Sequence, residues 1–453
     1  MDPALMLQML IAALAAILLY TFIGFIPGTD ETSVLVPVTL ALALAGVDPM
    51  VLLTFFIAAV VTLNLANAIP TALVGLPGGV LSAPMMEHSL HLKREGRAAE
   101  TIRKMAAGSA VGTVIAIPVS FAIASAIAPF ADTLREHGNL MFVGGAVLLS
   151  LLGRNRLLNL LAIIPMSLLF QGLLSLYRDR GVIPEDGNIS ISFFLGITIG
   201  PLLVSVLGLL NKTIRDAMPR HGALRVDLAT KTGTTGPAAA LNPTSILTRS
   251  ETTRTALASL ATTPLFFLSP VGLTFLLGEL VAGRRGDRTE RANRGVAGMN
   301  GVAHASYLSG TIIPLLAVGI PLSPVAIGPA QALFNAPPAF DLDSNLHHTL
   351  STASFMVAVV VGALLALVLT YVIAVRYSYR ITYFVMRYIA HEAVLGLFIG
   401  FILLLAYLDA GVVNIFGVLL VGVACGTLNK LGVGYGVQFM TLYASPWIVQ
   451  NLL

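Results

Sequence analysis

Ile69-Pro70-Thr71-Ala72-Leu73-Val74-Gly75-Leu76-Pro77 recurs, little changed, as Ile313-Pro314-Leu315-Leu316-Ala317-Val318-Gly319-Ile320-Pro321. Five of the nine positions are identical and a sixth exchanges Leu for Ile. Each copy lies inside a long apolar stretch. There Pro removes a backbone donor and clashes with the preceding turn, and Gly loosens the backbone. Each copy is therefore expected to break a helix. Non-helical backbone at membrane depth survives only where protein or a water-filled cavity satisfies its polar groups. A matched pair of such breaks is the best pointer a sequence offers to a transporter's binding site. Two kinked helices that merely pack together are the plainer alternative.

Composition fixes the surroundings of the two phrases. Of 453 residues, 56% are hydrophobic and 11% charged, against about 25% charged in a soluble domain. Mean hydropathy is +0.88. This predicts an all-α polytopic membrane protein. The apolar runs are near-continuous rather than alternating, which argues against membrane strands. The single Cys425 excludes an internal disulfide and a cysteine metal cluster. Net charge is +4, but the basic residues gather in a few loops, so they report topology rather than nucleic-acid binding. The first Lys or Arg is Lys93, so residues 4–26 read as a membrane helix and not as a cleaved signal.

Apolar runs in the first half cover 4–26, 34–46, 50–68, 105–131, 139–153, 157–177 and 189–211. A charged loop is expected at 87–104. The polar, basic stretch 212–250 reads as a linker between a first transmembrane repeat, 1–211, and a second, 251–453. In the second half, Ser269-Pro270-Val271-Gly272 breaks the first run, and 284–294 reads as a basic loop. A loop at 331–348 precedes apolar runs at 349–375, 388–398, 401–420 and 432–453. The halves correspond in register. Pro70 and Pro314 are 244 apart, as are Pro77 and Pro321, and Pro27 and Pro270 are 243 apart. A fixed offset between separate landmarks predicts a duplicated unit.

Loop charge predicts how the copies are oriented. Loop 87–104 carries Lys93, Arg94, Arg97, Arg103 and Lys104, while its counterpart 331–348 has no Lys or Arg. Conversely, 284–294 carries Arg284, Arg285, Arg288, Arg291 and Arg294, and its counterpart near 40–50 has none. Because cytoplasmic loops collect Lys and Arg, equivalent loops are expected on opposite faces of the membrane. The expectation is two inverted-topology repeats whose broken or re-entrant helices meet near the midplane. Both termini then lie outside, and loops 87–104, 212–250 and 284–294 are cytoplasmic.

The breaks expose helix ends. Helix N-termini hold anions without needing an arginine, and C-terminal carbonyls hold cations. Candidate substrate-binding residues in the first copy are Pro27, Gly28, Thr29, Thr32, Ser33, Asn64, Asn67, Thr71, Gly75, Pro77 and Gly78. In the second they are Asn300, His304, Ser306, Ser309, Thr311, Gly319, Pro321 and Ser323. Each polar residue taken alone is equally a helix-packing hydrogen bond. Asp30 and Glu31, adjacent carboxylates after Pro27-Gly28, are candidate ion-coupling groups if buried, or a solvated surface loop if not. A Na+ site is allowed near Asp30, Asn64 and Asn67. No nucleotide-binding loop, His-Glu-x-x-His or nucleophile elbow occurs, so no catalytic residues are expected.

The landmarks together resemble a known family. Pro27-Gly28 after an apolar helix, the Pro-rich break at 70–79, Lys93-Arg94-Glu95-Gly96-Arg97-Ala98 and Gly108-Ser109 are similar to the first half of TctA proteins. These are the large membrane subunits of tripartite tricarboxylate transporters. The phrase at 313–321 and the break at 269–272 resemble the family's second half. Where the family commonly has Pro-Gly-Ser after the second phrase, this chain has Pro321-Leu322-Ser323-Pro324. Its Pro-Glu and Asn-Asn ahead of that phrase are replaced by Gly298-Met299-Asn300-Gly301 and His304-Ala305, and Gly-rich sequence after the first Pro-Gly by Thr29-Asp30-Glu31.

The resemblance implies a secondary active transporter in the cytoplasmic membrane. It would import an organic di- or tricarboxylate with Na+ or H+ as the coupling ion and no other cofactor. A small membrane subunit and a periplasmic binding protein are the implied partners, beside the lipid bilayer, and a homodimer is allowed. Export, movement of a neutral or lipid-linked solute, and a non-transporting membrane subunit stay open as alternatives.

Overall fold

The structure is a computed structural model that describes residues 2–452 except 28, 30, 154, 185–189, 209, 211, 213–244 and 389–390. Most of the sequence-predicted linker 212–250 thus lies outside the described residues. The first half contains α1 (Pro3–Gly24), α2 (Glu31–Leu44), α3 (Pro49–Leu73), α4 (Met86–Arg94), α5 (Ala98–Ile127), α6 (Gly138–Leu152), α7 (Arg156–Asp179) and α8 (Ser190–Gly208). The second contains α9 (Arg249–Thr262), α10 (Pro270–Ala282), α11 (Arg288–Ala317), α12 (Thr352–Val372), α13 (Ser378–Tyr388), α14 (His391–Lys430) and α15 (Tyr435–Leu452). Two isolated bridges, Ala336 to Phe340 and Asp341 to Ser344, are the extended pairing among the described residues.

Among the described residues, six helical stretches are long and apolar enough to cross a membrane: Pro3–Gly24, Pro49–Leu73, Ala98–Leu134, Arg156–Asp179, Thr352–Val385 and Gly396–Lys430. The first has 22 residues, about 33 Å at 1.5 Å per residue, which matches a hydrocarbon core of about 30 Å. Leu18, Leu157 and Phe416 project outward with more than 60% exposure each. A soluble protein does not carry such a girdle, whereas lipid covers it. The chain is an all-α polytopic membrane protein.

Local sequence starts several helices. Asp2 and Asp48 accept hydrogen bonds from Ala4 N at 3.0 Å and Met50 N at 2.8 Å, and each is followed by Pro at the first helical position. That is the favoured pairing of acceptor cap and N-terminal proline. Thr248 and Glu251 form a reciprocal capping box on α9.

The centre is made by α3 and α11. Every residue of α3 after Pro49 is buried. Buried α11 also carries Asn300, His304, Ser306, Ser309 and Thr311. Helix α5 crosses α11 with backbones in contact. A Cβ on Gly108 would strike the Ala297 carbonyl, and one on Gly112 the Gly301 carbonyl. Small residues four apart permit this close approach, as is common between membrane helices.

The pairings across the molecule are reciprocal. Helix α3 packs along α12, and α11 along α5; α1 lies on α3, and α9 on α11. Helix α8 packs on α14, and α15 on α6 and α7. Helices α3 and α11 end at Leu73 and Ala317, 244 residues apart. The same spacing separates the starts of a 3-10 helix, Val80–Met85, and a short helix, Pro324–Ile327. It also separates the ends of α8 and α15, Gly208 and Leu452.

The structure corrects several sequence-based expectations. Pro70 and Pro314 do not end their helices; both lie inside them, and the breaks come at Gly75 and Gly319. Segment 87–104 is not a loop: α4 fills most of its first half, and α5 starts at Ala98. Helix α4 carries Glu87 in its first turn and His91, Lys93 and Arg94 in its last, which suits the helix dipole. The basic stretch 284–294 contains the start of α11, capped by Asp287 accepting from Glu290 N at 2.7 Å. The expected gap between 398 and 401 is continuous helix, and the break in α14 falls at Ala410–Gly411. For the two charged segments, low hydropathy reports the absence of lipid contact, not the absence of helix.

The two basic segments meet. His88 Nε2 lies 2.8 Å from Glu279 Oε1, and His91 Nε2 3.1 Å from Thr289 Oγ1. Asn293 donates to Glu100 Oε1 at 3.0 Å. Lys104 and Glu251 form a buried pair at 2.7 Å.

Candidate functional site

Each repeated phrase is the end of a central helix. Val74 N and Gly75 N both bond to the Pro70 carbonyl, at 2.8 and 2.9 Å. Val318 N and Gly319 N bond to the Pro314 carbonyl, at 3.2 and 2.9 Å. Gly75 has φ +84° and Gly319 φ +77°, a left-handed conformation that a Cβ disfavours and that ends helices. In each copy the chain then turns, and a new helical segment starts at Val80 or Pro324.

The segments that follow the two breaks meet in one cleft of about 140 Å³. Its wall includes Glu31 and Thr32, Val80 and Leu81, Pro270 and Val271, Pro324 and Val325, and Tyr435 and Gly436. Each pair opens a helix: α2, the 3-10 helix, α10, the short helix and α15. Tyr307, Gly328, Pro329 and Phe439 complete the wall. Three of the five helices, with 14, 13 and 18 residues, are long enough to carry a developed dipole. First-turn N–H groups lack partners within their own helix, and the aligned peptides leave about half a positive charge at each N-terminus. No Lys or Arg lines the cleft. Among the described residues its field for an anion therefore comes from backbone, with Glu31 as the carboxylate on the wall.

Glu31 is 3% exposed. Its Oε1 accepts from Asn67 Nδ2 at 3.2 Å and from Leu81 N at 3.4 Å. A Cβ on Gly79 would collide with both Glu31 and Asn67, so glycine at 79 lets the returning chain reach this pair. Thr29 Oγ1 lies 3.2 Å from the Ile26 carbonyl, 3.2 Å from the Gly78 carbonyl and 3.5 Å from Asn67 Oδ1. Gly78 N also bonds to the Asn67 carbonyl at 3.2 Å. The loop after the first break thus folds back onto α3 and is tied to the start of α2.

The other sequence-predicted residues fall into three groups. Gly28 and Asp30 lie outside the described residues. Thr32 is on the cleft wall, while Ser33 turns away and donates to the Thr198 carbonyl of α8 at 3.1 Å. Pro27 is in the turn after α1. Asn64 and Thr71 are buried on the Asn67 face of α3; both amide atoms of Asn64 and the Thr71 hydroxyl have no hydrogen-bond partner among the described residues. Gly75 and Pro77 belong to the first turn and Gly319 and Pro321 to the second, behind the cleft wall rather than on it.

In the second half the polar candidates are engaged in packing. Asn300, His304, Ser309 and Thr311 do not line the cleft. His304 is fully buried and bridges the central helices, with Nδ1 3.0 Å from the Asn300 carbonyl and Nε2 3.2 Å from the Val61 carbonyl. Ser309 and Thr311 bond back to their own helix, at the Ser306 and Tyr307 carbonyls. Asn300 Nδ2 faces Met85 Sδ at 4.0 Å. Ser323 caps Ala326 N at 2.9 Å and donates to the Gly310 carbonyl at 2.5 Å. That carbonyl would have paired with residue 314, and Pro314 has no N–H to offer it.

Sequence reasoning missed Tyr307, Tyr435 and Phe439. Phe439 stacks on Phe194 at 4.3 Å, and Tyr435 OH reaches the Thr198 carbonyl at 3.2 Å. Thr198 therefore receives one bond from beside Glu31 and one from the opposite wall. The offset of 244 held the signal, since it carries the start of α8 to within a residue of Tyr435.

No curated protein and no solved structure matches the chain. The family described as "Tripartite tricarboxylate transporter TctA family" matches residues 10–436 of the 453. The chain belongs to the TctA family of tripartite tricarboxylate transporters.

Proposed function

We propose that this chain is the translocating subunit of an ion-coupled importer of di- or tricarboxylates, and that the substrate sits in the cleft bounded by Glu31, Leu81, Val271, Val325 and Tyr435. The observation that carries the reading is the convergence of five helix starts on one cleft that has no basic side chain among the described residues. Carboxylates accept hydrogen bonds from such N–H groups and gain from the dipoles behind them. Glu31 gives the cleft its ion dependence. An anionic substrate beside a buried carboxylate is costly unless a cation or proton arrives with it. Binding of the two is thereby linked, which is the condition for symport.

The halves act as inverted repeats, 1–211 and 251–453, joined by a cytoplasmic 212–250. Three observations support this arrangement: the reciprocal helix pairings, the recurrent spacing of 244, and the meeting of the basic segments around His88–Glu279 and Asn293–Glu100. The positive-inside bias puts that end in the cytoplasm. Alternating access then follows from sliding one part of the pair against the other around the cleft. The small membrane subunit and the binding protein of the tripartite system deliver substrate from outside.

The test is stabilisation of the purified protein in detergent by a series of tri-, di- and monocarboxylates. A ligand at about 100 times its Kd stabilises the folded state by about 2.7 kcal/mol. Stabilisation by a multivalent carboxylate, and its loss on narrowing the cleft with Val271→Phe, is the expected result. Equal response to every anion would contradict the reading.

A further inference from the structure

Helix α12 does not stop where the membrane does. The helical stretch Thr352–Val385 has 34 residues, about 51 Å if straight, against a hydrocarbon core of about 30 Å. The 21 residues of α12 already cross that core. A π-helical turn, Ile373–Tyr377, follows, and then α13. Such turns are sites of helix bending, and this one bends. Thr370 meets Thr62 of α3 at 3.0 Å. The Phe384 ring, fourteen residues further on, meets Phe22 of α1 with centroids 6.5 Å apart. Phe22 lies just ahead of Gly24, whose Cβ would strike Ala66, four residues past Thr62. A straight helix would carry Phe384 about 21 Å beyond Thr370, whereas four residues of α3 span about 6 Å. Helix α13 therefore runs across the ends of α1 and α12, along the membrane face that those ends mark. It packs on α3, and the π turn packs on α5, whose start carries Arg103 and Lys104.

Helix α13 has two faces. Ser378, Thr382 and Val385 are buried against the protein. Arg380, Tyr383, Phe384, Arg387 and Tyr388 recur at the three- and four-residue spacing of one helix face, and all are exposed. A face in the hydrocarbon core would carry no arginine, and a solvated face would carry few aromatics. Interleaved Arg and Tyr suit the headgroup layer, where the rings stay among apolar groups and the charged tips reach outward. The Arg387 guanidinium carbon lies 5.7 Å from the centroid of the Tyr383 ring and 5.4 Å from that of Tyr388. Arg387 also donates to the Tyr383 hydroxyl at 2.5 Å, which uses one of a guanidinium's five N–H donors.

Charge selects the ligand. Residues 344–391 hold Arg376, Arg380 and Arg387 and no Asp or Glu. Even with Glu392 counted, three cations stand against one carboxylate. Guanidinium groups pair with phosphate oxygens in a planar, bidentate geometry. We infer that the exposed face of α13 is a binding surface for anionic phospholipid, with Arg376, Arg380 and Arg387 at the lipid phosphates and Tyr383, Phe384 and Tyr388 among the glycerol and upper acyl groups. On the topology proposed above, this is the cytoplasmic leaflet, where anionic lipids attract basic interfacial segments. No residue of α13 lines the cleft, so this surface is separate from the carboxylate site.

The experiment is lipid retention. The full chain is reconstituted in equal parts of phosphatidylglycerol and phosphatidylcholine and re-extracted in mild detergent, and the lipid that stays bound is counted by class. No transport is read, so the outcome is independent of the carboxylate assignment. The expected result is enrichment of phosphatidylglycerol by roughly fivefold, the scale of one basic side chain at an anionic surface. The enrichment falls to parity when Arg376→Gln, Arg380→Gln and Arg387→Gln are combined, and it persists when the same three positions are changed to Lys. Equal retention of the two lipids by the unaltered protein overturns the inference and leaves the face to a protein partner. Undiminished enrichment in the triple Gln variant also overturns it, by moving the lipid to the basic ends of α4, α5 and α11. Should the triple variant not fold, Arg380→Gln and Arg387→Gln decide singly, each expected to lower the enrichment.

Discussion

The two breaks share a backbone and differ in chemistry. Both end a central helix on a left-handed glycine, with two N–H groups on the same proline carbonyl. The second is closed by side-chain donors: Ser323 on the Gly310 carbonyl, Asn345 on the Gly319 carbonyl at 2.8 Å, and His347 Nδ1 3.1 Å from the Leu315 and Leu316 carbonyls. The first has Lys93 on the Val74 carbonyl at 2.8 Å, Thr29 between the Ile26 and Gly78 carbonyls, and a buried carboxylate, Glu31, held by Asn67. On the proposed reading, the second break serves as a structural hinge and the first as an ion-responsive wall.

The largest expected effect separates the breaks by function. Glu31→Gln keeps the shape and an acceptor oxygen but removes the charge. Ion-coupled uptake should fall by about a hundredfold, a barrier change of about 2.7 kcal/mol, with little change in Tm. On the other side, Ser323→Ala should leave uptake within about twofold yet cost about 1–2 kcal/mol of stability, since it removes both a cap and the partner of a buried carbonyl. If Ser323→Ala abolished uptake at unchanged stability, the division of roles would be wrong.

Two further substitutions sharpen the shared part. Gly75→Ala and Gly319→Ala should each cost about 1 kcal/mol through the left-handed backbone. The second should cost more, because its Cβ would meet the His347 Cβ at 3.0 Å and its ring at 3.1 Å, whereas that of Gly75 would meet the movable end of Leu90. Lys93→Met should have the smallest effect, a few tenths of a kcal/mol and reduced by salt, because a cation near a helix C-terminus is screened at the surface. Thermal scans in detergent at low and high salt measure all three.

Parts of this were legible in the sequence for physical reasons. Composition announced lipid as the solvent, and the recurrence of Pro, Val, Gly and Pro at one offset announced matched helix ends. The near absence of Lys and Arg from the apolar segments around the breaks pointed to backbone as the anion ligand. The exact position of each break was not legible. Pro70 and Pro314 look like breakers, but a proline can sit inside a helix when another group takes up the orphaned carbonyl, as Ser323 does for Gly310. Helix starts in charged sequence, at Ala98 and Arg288, were hidden because hydropathy tracks lipid contact. The far wall was hidden too: Tyr435 and Phe439 are ordinary aromatics until folding sets them opposite Glu31. Asn300, His304 and Thr311 drew attention as polar residues in apolar surroundings, and the structure gives them packing bonds between and within helices. Asp30, adjacent to Glu31, lies outside the described residues.

The central claim is that an anion in the cleft is coupled to a cation beside Glu31. The most direct measurement is uptake of a labelled tricarboxylate into proteoliposomes carrying this chain, alone and with its partner subunits, with and without an inward Na+ gradient. The account predicts concentrative uptake that needs the gradient and is lost in Glu31→Gln. Uptake indifferent to the gradient, or unchanged in Glu31→Gln, would contradict it.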